Sequence, residues 1–253
     1  MALLSCSFFS DALERGTSIT VVLPQPSQAQ IGVSGTDLSD PPRVLYLLHG
    51  LSDDHTAWTR YTSIERYAAE RGFAVVMPAV DRSFYANEKL GHRYWDYVSE
   101  ELPQFVDRYF RLSQDPVDTF VAGLSMGGYG ALKHALTHPE RYAGVASLSG
   151  VADIRQLAER LERAEIVERV FGGEFGSGDD LFSLLASIDP ATAPRFYIGC
   201  GTDEDRLMPP NERFVAEARA RGLDVTTDFR PGTHEWGLWD DQIQSVLTWM
   251  AGS

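Results

Sequence analysis

The sequence has few cysteines and no long apolar run. Its two cysteines, Cys6 and Cys200, are too few to build a disulfide framework. No segment approaches the roughly 20 apolar residues that a membrane-spanning helix needs. The residues before Cys6 lack the basic and apolar regions of a secretion signal. We therefore expect a cytoplasmic location and no membrane partner.

Basic residues are scarce as well. The chain has 22 Lys and Arg against 36 Asp and Glu, which gives a net charge of −14 over 253 residues. Because such a surface repels phosphate groups, we expect no nucleic-acid partner. The sequence also lacks His-Glu-x-x-His, Gly-x-x-x-x-Gly-Lys and the glycine spacing of dinucleotide-binding loops. It therefore predicts neither a metal site nor a cofactor.

Apolar runs alternate with segments of helical pattern along the chain. This order predicts an α/β fold with a mostly parallel, doubly wound sheet, helices on both faces and a single domain over residues 1–253. The opening strands are expected to form an antiparallel edge, and residues 25–42 a loop. The predicted strands cover 18–23, 43–48, 73–77, 117–122, 143–148, 195–200 and 225–229, and the main helices 59–71, 97–110, 210–221 and 235–250.

Residues 151–190 interrupt this alternation. Ile154, Leu157, Ala158 and Leu161 have the spacing of one helical face. The segment is expected to be a small helical cap insertion over the site, or else an ordinary pair of surface helices.

Residues 123–127, Gly-Leu-Ser-Met-Gly, match the Gly-x-Ser-x-Gly pattern. A predicted strand precedes this stretch and a predicted helix follows it, which is the setting of a nucleophile elbow. We expect Ser125 to sit in a strained turn at the open end of the sheet, where it would act as the nucleophile. The oxyanion hole would use the N–H groups of Met126 and, in the loop after the strand over 43–48, of Leu51.

A serine nucleophile needs a base and an orienting carboxylate, which follow it in this architecture in the order acid, then His. His234 is the only histidine after the last predicted strand, so it is the expected base. The loop after Cys200 offers three carboxylates at positions 203–205. We expect Asp205 to be the acid, because Asp-x-Leu-x-Pro is the usual form of this turn, with Asp203 as the alternative.

Aromatic residues crowd the segment 81–97, which follows the carboxyl end of a predicted strand. Ligands bind at that end of α/β sheets. We therefore expect Tyr94 and Trp95, together with Trp236, to bind the substrate.

Several of these motifs resemble the esterase D group, which includes S-formylglutathione hydrolases, feruloyl esterases and tributyrin esterases. The matching stretches are 47–51, 94–97 with 101–103, 123–128 and 232–236, and the tributyrin esterases look nearest because 8–10 and 18–21 match as well. The loop after Cys200 departs from the group's pattern by one extra residue before Asp205. The resemblance implies an α/β-hydrolase fold, hydrolysis of short-chain acyl esters, no cofactor and a homo-oligomer.

The sequence thus predicts a serine carboxylesterase that acts on a small-molecule ester through an acyl-enzyme. Two alternatives keep the same chemistry: a thioesterase of the S-formylglutathione hydrolase type, and a feruloyl or acetyl-sugar esterase. A third alternative, of another class, is a non-catalytic binding module on the same fold.

Overall fold

The computed structural model describes residues 1–26, 29, 31 and 39–252. Within them lies an eight-stranded sheet with the order β1-β2-β4-β3-β5-β6-β7-β8. The first two strands form an antiparallel hairpin at the edge, and the pairs from β4-β3 to β7-β8 are parallel. The strands are β1 (Ala2–Ser10), β2 (Arg15–Leu23), β3 (Arg43–Leu48), β4 (Phe73–Pro78), β5 (Thr119–Leu124), β6 (Gly144–Leu148), β7 (Arg195–Gly201) and β8 (Val225–Arg230).

The helices cover both faces of this sheet. They are α1 (Ala57–Tyr61), α2 (Ile64–Glu70), α3 (Tyr94–Asp96), α4 (Leu102–Tyr109), α5 (Met126–Thr137), α6 (Ala164–Ile166), α7 (Leu181–Ser187), α8 (Met208–Ala220) and α9 (Trp236–Ala251). The predicted fold class, an α/β-hydrolase fold, is confirmed. Most of the predicted 25–42 loop lies outside the described residues.

The central strands are mostly apolar because both of their faces are buried. Alternate side chains of β3 enter different cores: Val44 and Leu48 pack in one, and Leu45 and Leu47 in the other. Helices α5 and α8 cover the first core, while α2 and α9 cover the second. The loops at the carboxyl ends of the parallel strands meet at one edge, which fixes the place of a site.

Two predicted helices differ from those observed. The helix expected over 59–71 breaks into α1 and α2, where the Thr62 hydroxyl donates to the Trp58 carbonyl and Ser63 precedes α2. The helix expected over 97–110 contains a π-turn, Tyr97–Glu101, before α4. Neither difference affects the carboxyl ends of the parallel strands, where the site lies.

The 151–190 segment contains short helical turns together with α6 and α7. Two 3₁₀ turns, Ile154–Leu157 and Leu161–Arg163, precede α6 and α7. Ile154 and Leu157 are buried, but Leu161 is 92% exposed, so the predicted single apolar face does not form. Among the residues that the structure describes, no helix has both the length and the apolar character to cross a membrane.

Candidate active site

The turn between β5 and α5 holds Ser125 in an uncommon backbone conformation. Its φ is 53° and its ψ is −115°, outside the regions that a serine normally adopts. The turn can close only because its glycines lack a Cβ. A Cβ on Gly123 would lie 2.4 Å from Gly127 backbone, and one on Gly127 would lie 2.4 Å from the Leu48 carbonyl oxygen. The Gly-x-Ser-x-Gly pattern is therefore a packing requirement of this turn.

His234 lies within hydrogen-bond distance of Ser125. Its Nε2 is 3.0 Å from the Ser125 Oγ, and its Nδ1 is 2.7 Å from the Oε2 of Glu204. Burial raises the pKa of the Glu204 carboxyl, but hydrogen bonds from His234, Ser149 and Gly201 outweigh that effect and hold the pKa below its usual range. An ionised carboxylate only accepts, so Nδ1 carries the proton and Nε2 is left to accept from the serine.

This contact corrects the expectation that Asp205, or else Asp203, pairs with His234. Asp205 is exposed at the rim of the cleft, and no hydrogen bond or ion pair joins its carboxylate to another described residue. Asp203 instead accepts from the Gly232 N–H, while its own N–H donates to the Gly232 carbonyl. Asp203 thus links the loop after β7 to the loop that carries His234. Glu204, which lies between the two aspartates, points inward.

Glu204 is held by more than its histidine. Its side chain is only 3% exposed, and its Oε1 accepts from the Ser149 hydroxyl at 2.5 Å and from the Gly201 N–H at 3.0 Å. The Ser149 oxygen accepts in turn from the Trp239 indole N–H at 3.0 Å. A hydrogen-bonded chain therefore runs from Trp239 through Ser149, Glu204 and His234 to Ser125.

Sequence reasoning missed Ser149. It follows β6 and is fully buried, with a φ of 46° that is rare for a residue other than glycine. The sequence offers no motif for it, although its place just after a parallel strand, beside the elbow, is at the functional edge of the sheet.

The two expected oxyanion donors border the same cleft as Ser125. Met126 is the first residue of α5, so its N–H has no acceptor within the helix. The Leu51 N–H makes no hydrogen bond to any other residue in the described ranges. Both amides are therefore free to donate to an oxygen above Ser125.

His49 holds the loop that carries Leu51. Its Nδ1 is 2.7 Å from the Gly50 carbonyl oxygen, and its Nε2 accepts from the Val80 N–H. The Tyr85 hydroxyl donates to the His49 carbonyl at 2.9 Å. Burial lowers the pKa of His49, which keeps the ring neutral, so this histidine acts as a structural link between loops.

A cleft of about 1780 Å³ opens above Ser125. Apolar side chains of the elbow, the loops after β3 and β4 and the start of α9 line it, together with residues of the 151–163 stretch. They include Leu51, Phe84, Leu124, Met126, Val151, Leu157, Trp236 and Trp239. The expected placement of Trp236 at the site is therefore observed.

Tyr94 and Trp95 do not reach this cleft, contrary to expectation. The Tyr94 hydroxyl donates to Asp81 at 2.5 Å from a buried position, while Trp95 packs against His134 of α5 and against His138, which follows that helix. Of the 81–97 segment, residues 81, 82 and 84 line the cleft. The short helix α3 turns its aromatic side chains away, so the segment's aromatics do not form the pocket wall.

No group of three or more His, Cys, Asp or Glu side chains within the described ranges has the arrangement of a metal site. The absence of a metal and of a cofactor stays a prediction.

Comparison with known proteins assigns the family. Residues 10–250 match the family described as "Putative esterase". The chain is 28% identical over 264 residues to an acetyl esterase of Caldicellulosiruptor saccharolyticus, across 99% of this chain and 98% of that one. It is 30% identical over 159 residues to an S-formylglutathione hydrolase of Paracoccus denitrificans (strain Pd 1222), across 54% of this chain and 53% of that one.

Comparison with solved structures supports the same family assignment. FphF, a fluorophosphonate-binding serine hydrolase of Staphylococcus aureus, superposes with a TM-score of 0.88 at 35% identity, across 99% of this chain and 98% of that chain. The S-formylglutathione hydrolase FrmB of the same organism gives a TM-score of 0.84 at 34% identity, with the same coverage. With the elbow serine and its histidine already on one cleft, these matches show that the chain belongs to the esterase family and is a serine ester hydrolase.

Proposed function

We propose that Ser125, His234 and Glu204 form the catalytic triad of a carboxylesterase for short-chain acyl esters. One observation carries the proposal: the continuous contact from the Ser125 Oγ through His234 to the Glu204 carboxylate, at 3.0 Å and 2.7 Å. The order serine, acid, histidine along the chain is that of α/β-hydrolases, which use either Asp or Glu as the acid.

In the acylation step, the Nε2 of His234 takes the hydroxyl proton as the Ser125 Oγ attacks the ester carbonyl carbon. The oxygen that becomes negative accepts hydrogen bonds from the Leu51 and Met126 N–H groups. Glu204 stabilises the positive imidazolium through Nδ1–H. When the tetrahedral intermediate collapses, Nε2–H gives its proton to the leaving alcohol oxygen and an acyl-serine remains.

Deacylation repeats the sequence with water. His234 removes a proton from a water molecule, which attacks the acyl carbon, and the same two amides stabilise the second oxyanion. Collapse returns the proton to Ser125 and releases the carboxylic acid. The side chain of His234 is 41% exposed, so water can approach it from the cleft.

The direct test compares hydrolysis of p-nitrophenyl acetate by the natural enzyme and by Ser125→Ala. Loss of the nucleophile should lower kcat by roughly 10⁴-fold or more, as in other serine triads. A folded Ser125→Ala protein with near-normal turnover would refute the mechanism.

The preference for short acyl chains rests on two supports: the resemblance to tributyrin esterases, and the match to an acetyl esterase along nearly the whole chain. The aromatic residues of 81–97 give no further support, since Phe84 is the aromatic of that segment that lines the cleft.

A thioesterase is the second candidate, because FrmB matches at 34% identity along nearly the whole chain. Rates on a thioester and on its oxygen ester, with the same acyl group, would separate the two functions.

We also propose that residues 151–163 act as a cap over the cleft, since Val151, Leu157 and Arg163 line it. The cytoplasmic location and the homo-oligomer stay predictions.

A further inference from the structure

Three arginines lie on the cleft wall that the 151–163 stretch and the loop after β4 form. Arg82 comes from that loop, and Arg160 and Arg163 lie at the second 3₁₀ turn, where the Arg163 N–H donates to the Arg160 carbonyl. We call these three residues the arginine wall. Such a group is unexpected in a chain with 36 acidic and 22 basic residues.

The carboxylates nearby leave two of these arginines without a counterion. Arg160 pairs with Glu162 at 2.8 Å, and Asp81 is already engaged by Arg15 and Tyr94. Glu159 lines the same wall but forms no ion pair with a described residue. Within the described part of the chain, the guanidinium groups of Arg82 and Arg163 form no ion pair either.

Arg163 is the least satisfied of the three. Its Nε–H is shielded from solvent and has no acceptor in the described chain. Burial and the charges of Arg160 and Arg82 lower the pKa of its guanidinium, with Glu162 opposing them. The group nevertheless stays protonated at neutral pH. An anion placed among these side chains would accept from Arg163 and relieve their mutual repulsion.

The loops that carry Leu51, Glu204 and His234 bring mostly acidic side chains to the cleft: Asp53, Asp203, Asp205 and Glu235, with Arg206 as the basic residue among them. On the arginine wall, Asp81, Glu159 and Glu162 equal the arginines in number, but Arg82 and Arg163 have no ion pair within the described residues. A negatively charged part of a substrate would therefore be repelled near those loops and would find unpaired guanidinium groups at the arginine wall. At about 1780 Å³ the cleft is larger than the roughly 300–1,000 Å³ of ordinary ligand pockets, so a substrate can extend from Ser125 toward the wall.

We propose that the arginine wall binds a carboxylate of the substrate, remote from the ester carbonyl, so that the enzyme prefers anionic esters over neutral esters of the same size. A carboxylate suits the planar fork of donors that a guanidinium presents. The inference rests on the proposed function, since it assumes that Ser125 attacks an ester in this cleft.

Two matched pairs of esters test the proposal and locate the carboxylate. Mono-p-nitrophenyl glutarate against p-nitrophenyl valerate places the charge on the acyl part. 4-Acetoxybenzoate against 4-acetoxybenzamide places it on the alcohol part. In at least one pair, kcat/KM should be higher for the anion, and this preference should weaken as salt is raised because exposed charges are screened.

The double variant Arg82→Gln, Arg163→Gln should lower the anion-to-neutral ratio of kcat/KM by about ten- to a hundredfold, the usual effect of hydrogen bonds to a charged group. The double variant Arg108→Gln, Arg111→Gln is the matched control. It removes the same two charges from exposed positions outside the cleft, and it should keep the natural ratio. Arg82→Gln alone, at an exposed residue, replaces the double variant if the latter does not fold.

The outcomes distinguish failure of the arginine wall from failure of the esterase mechanism. Hydrolysis of both esters in each pair, with no preference for the anion or with a preference that the arginine variants leave intact, overturns the arginine wall and leaves the esterase mechanism standing. Hydrolysis of none of the four esters by the natural enzyme overturns the proposed function, and this inference falls with it.

Discussion

Replacing Glu204 with glutamine would separate the charge of the buried acid from its shape. The Ser149 hydroxyl and the Gly201 N–H both donate to Oε1, so the amide oxygen of the introduced side chain would take that place. The amide NH₂ would then face the Nδ1 of His234, which lies 2.7 Å from the carboxylate in the natural protein. Because NH₂ can only donate, Nδ1 would have to accept and the ring proton would move to Nε2.

An Nε2–H tautomer cannot take the proton from Ser125. The corresponding amide substitution in a trypsin-type triad costs about 10⁴-fold in kcat, which is about 5.5 kcal/mol of transition-state stabilisation. We expect Glu204→Gln to lower kcat by roughly 10³- to 10⁴-fold, with a much smaller change in KM. Steady-state hydrolysis of p-nitrophenyl acetate gives both kcat and KM for this comparison.

Asp205→Asn is the matched control, since it removes one charge from the adjacent position. Asp205 is exposed and has no bond to His234, so its loss should cost less than about threefold, the scale of exposed charge interactions. If Asp205→Asn is the crippled variant and Glu204→Gln turns over normally, the reasoning from the buried carboxylate is wrong.

Three further predictions concern the acid's support, the substrate and acid stability. Ser149→Ala and Ser149→Gly should each lower kcat about tenfold, the usual worth of a hydrogen bond to a charged group; since glycine tolerates the φ of 46°, a loss in the alanine variant alone would point to backbone strain instead. On p-nitrophenyl esters, kcat/KM should peak between acetyl and butyryl, and a peak at decanoyl or longer would contradict the short-acyl proposal. His134 is buried, and burial followed by the charges of His138, Lys133 and Arg141 lowers its pKa from 6.5 to about 3, so the unfolded chain takes up a proton first as the pH falls below 6.5. The free energy of unfolding should therefore drop by about 2 kcal/mol more in the natural protein than in His134→Gln between pH 7.5 and pH 5, and equal drops in urea titrations would argue against this assignment.

Much of the fold could be predicted from the sequence, because strands buried on both faces are continuous apolar runs. The strands over 43–48 and 73–77 are observed within one residue of their expected ends. Ser125 could be identified because its turn needs glycines at fixed positions. His234 could be identified because it is the only histidine after the last strand.

The acid could not be chosen from the sequence, because three consecutive carboxylates share one turn and only the fold decides which of them points inward. Glu204 points inward because the Gly201 N–H and the Ser149 hydroxyl donate hydrogen bonds to its carboxylate. The Asp203 carboxylate instead accepts from the Gly232 N–H. Two features of the sequence favour Glu204: α/β-hydrolases also use Glu as the acid, and the spacing of the resembling group, which is one residue shorter than that to Asp205, falls on position 204.

The aromatic contacts could not be predicted for a similar reason. Tyr94 and Trp95 lie on a helix of three residues, which is too short for periodicity to show which way its side chains face. Trp236 lies at the start of α9, next to the loop of His234, and chain proximity alone brings it to the cleft.

Covalent labelling with a fluorophosphonate tests the central claim most directly, because the reagent captures an activated serine without any assumption about the substrate. Mass spectrometry of the intact protein should show one adduct per chain, and peptide mapping should place it on Ser125. Ser125→Ala should take up no label, and His234→Ala should react far more slowly. An unlabelled natural enzyme that still hydrolyses esters, or an adduct on another serine with Ser125→Ala fully active, would contradict the account.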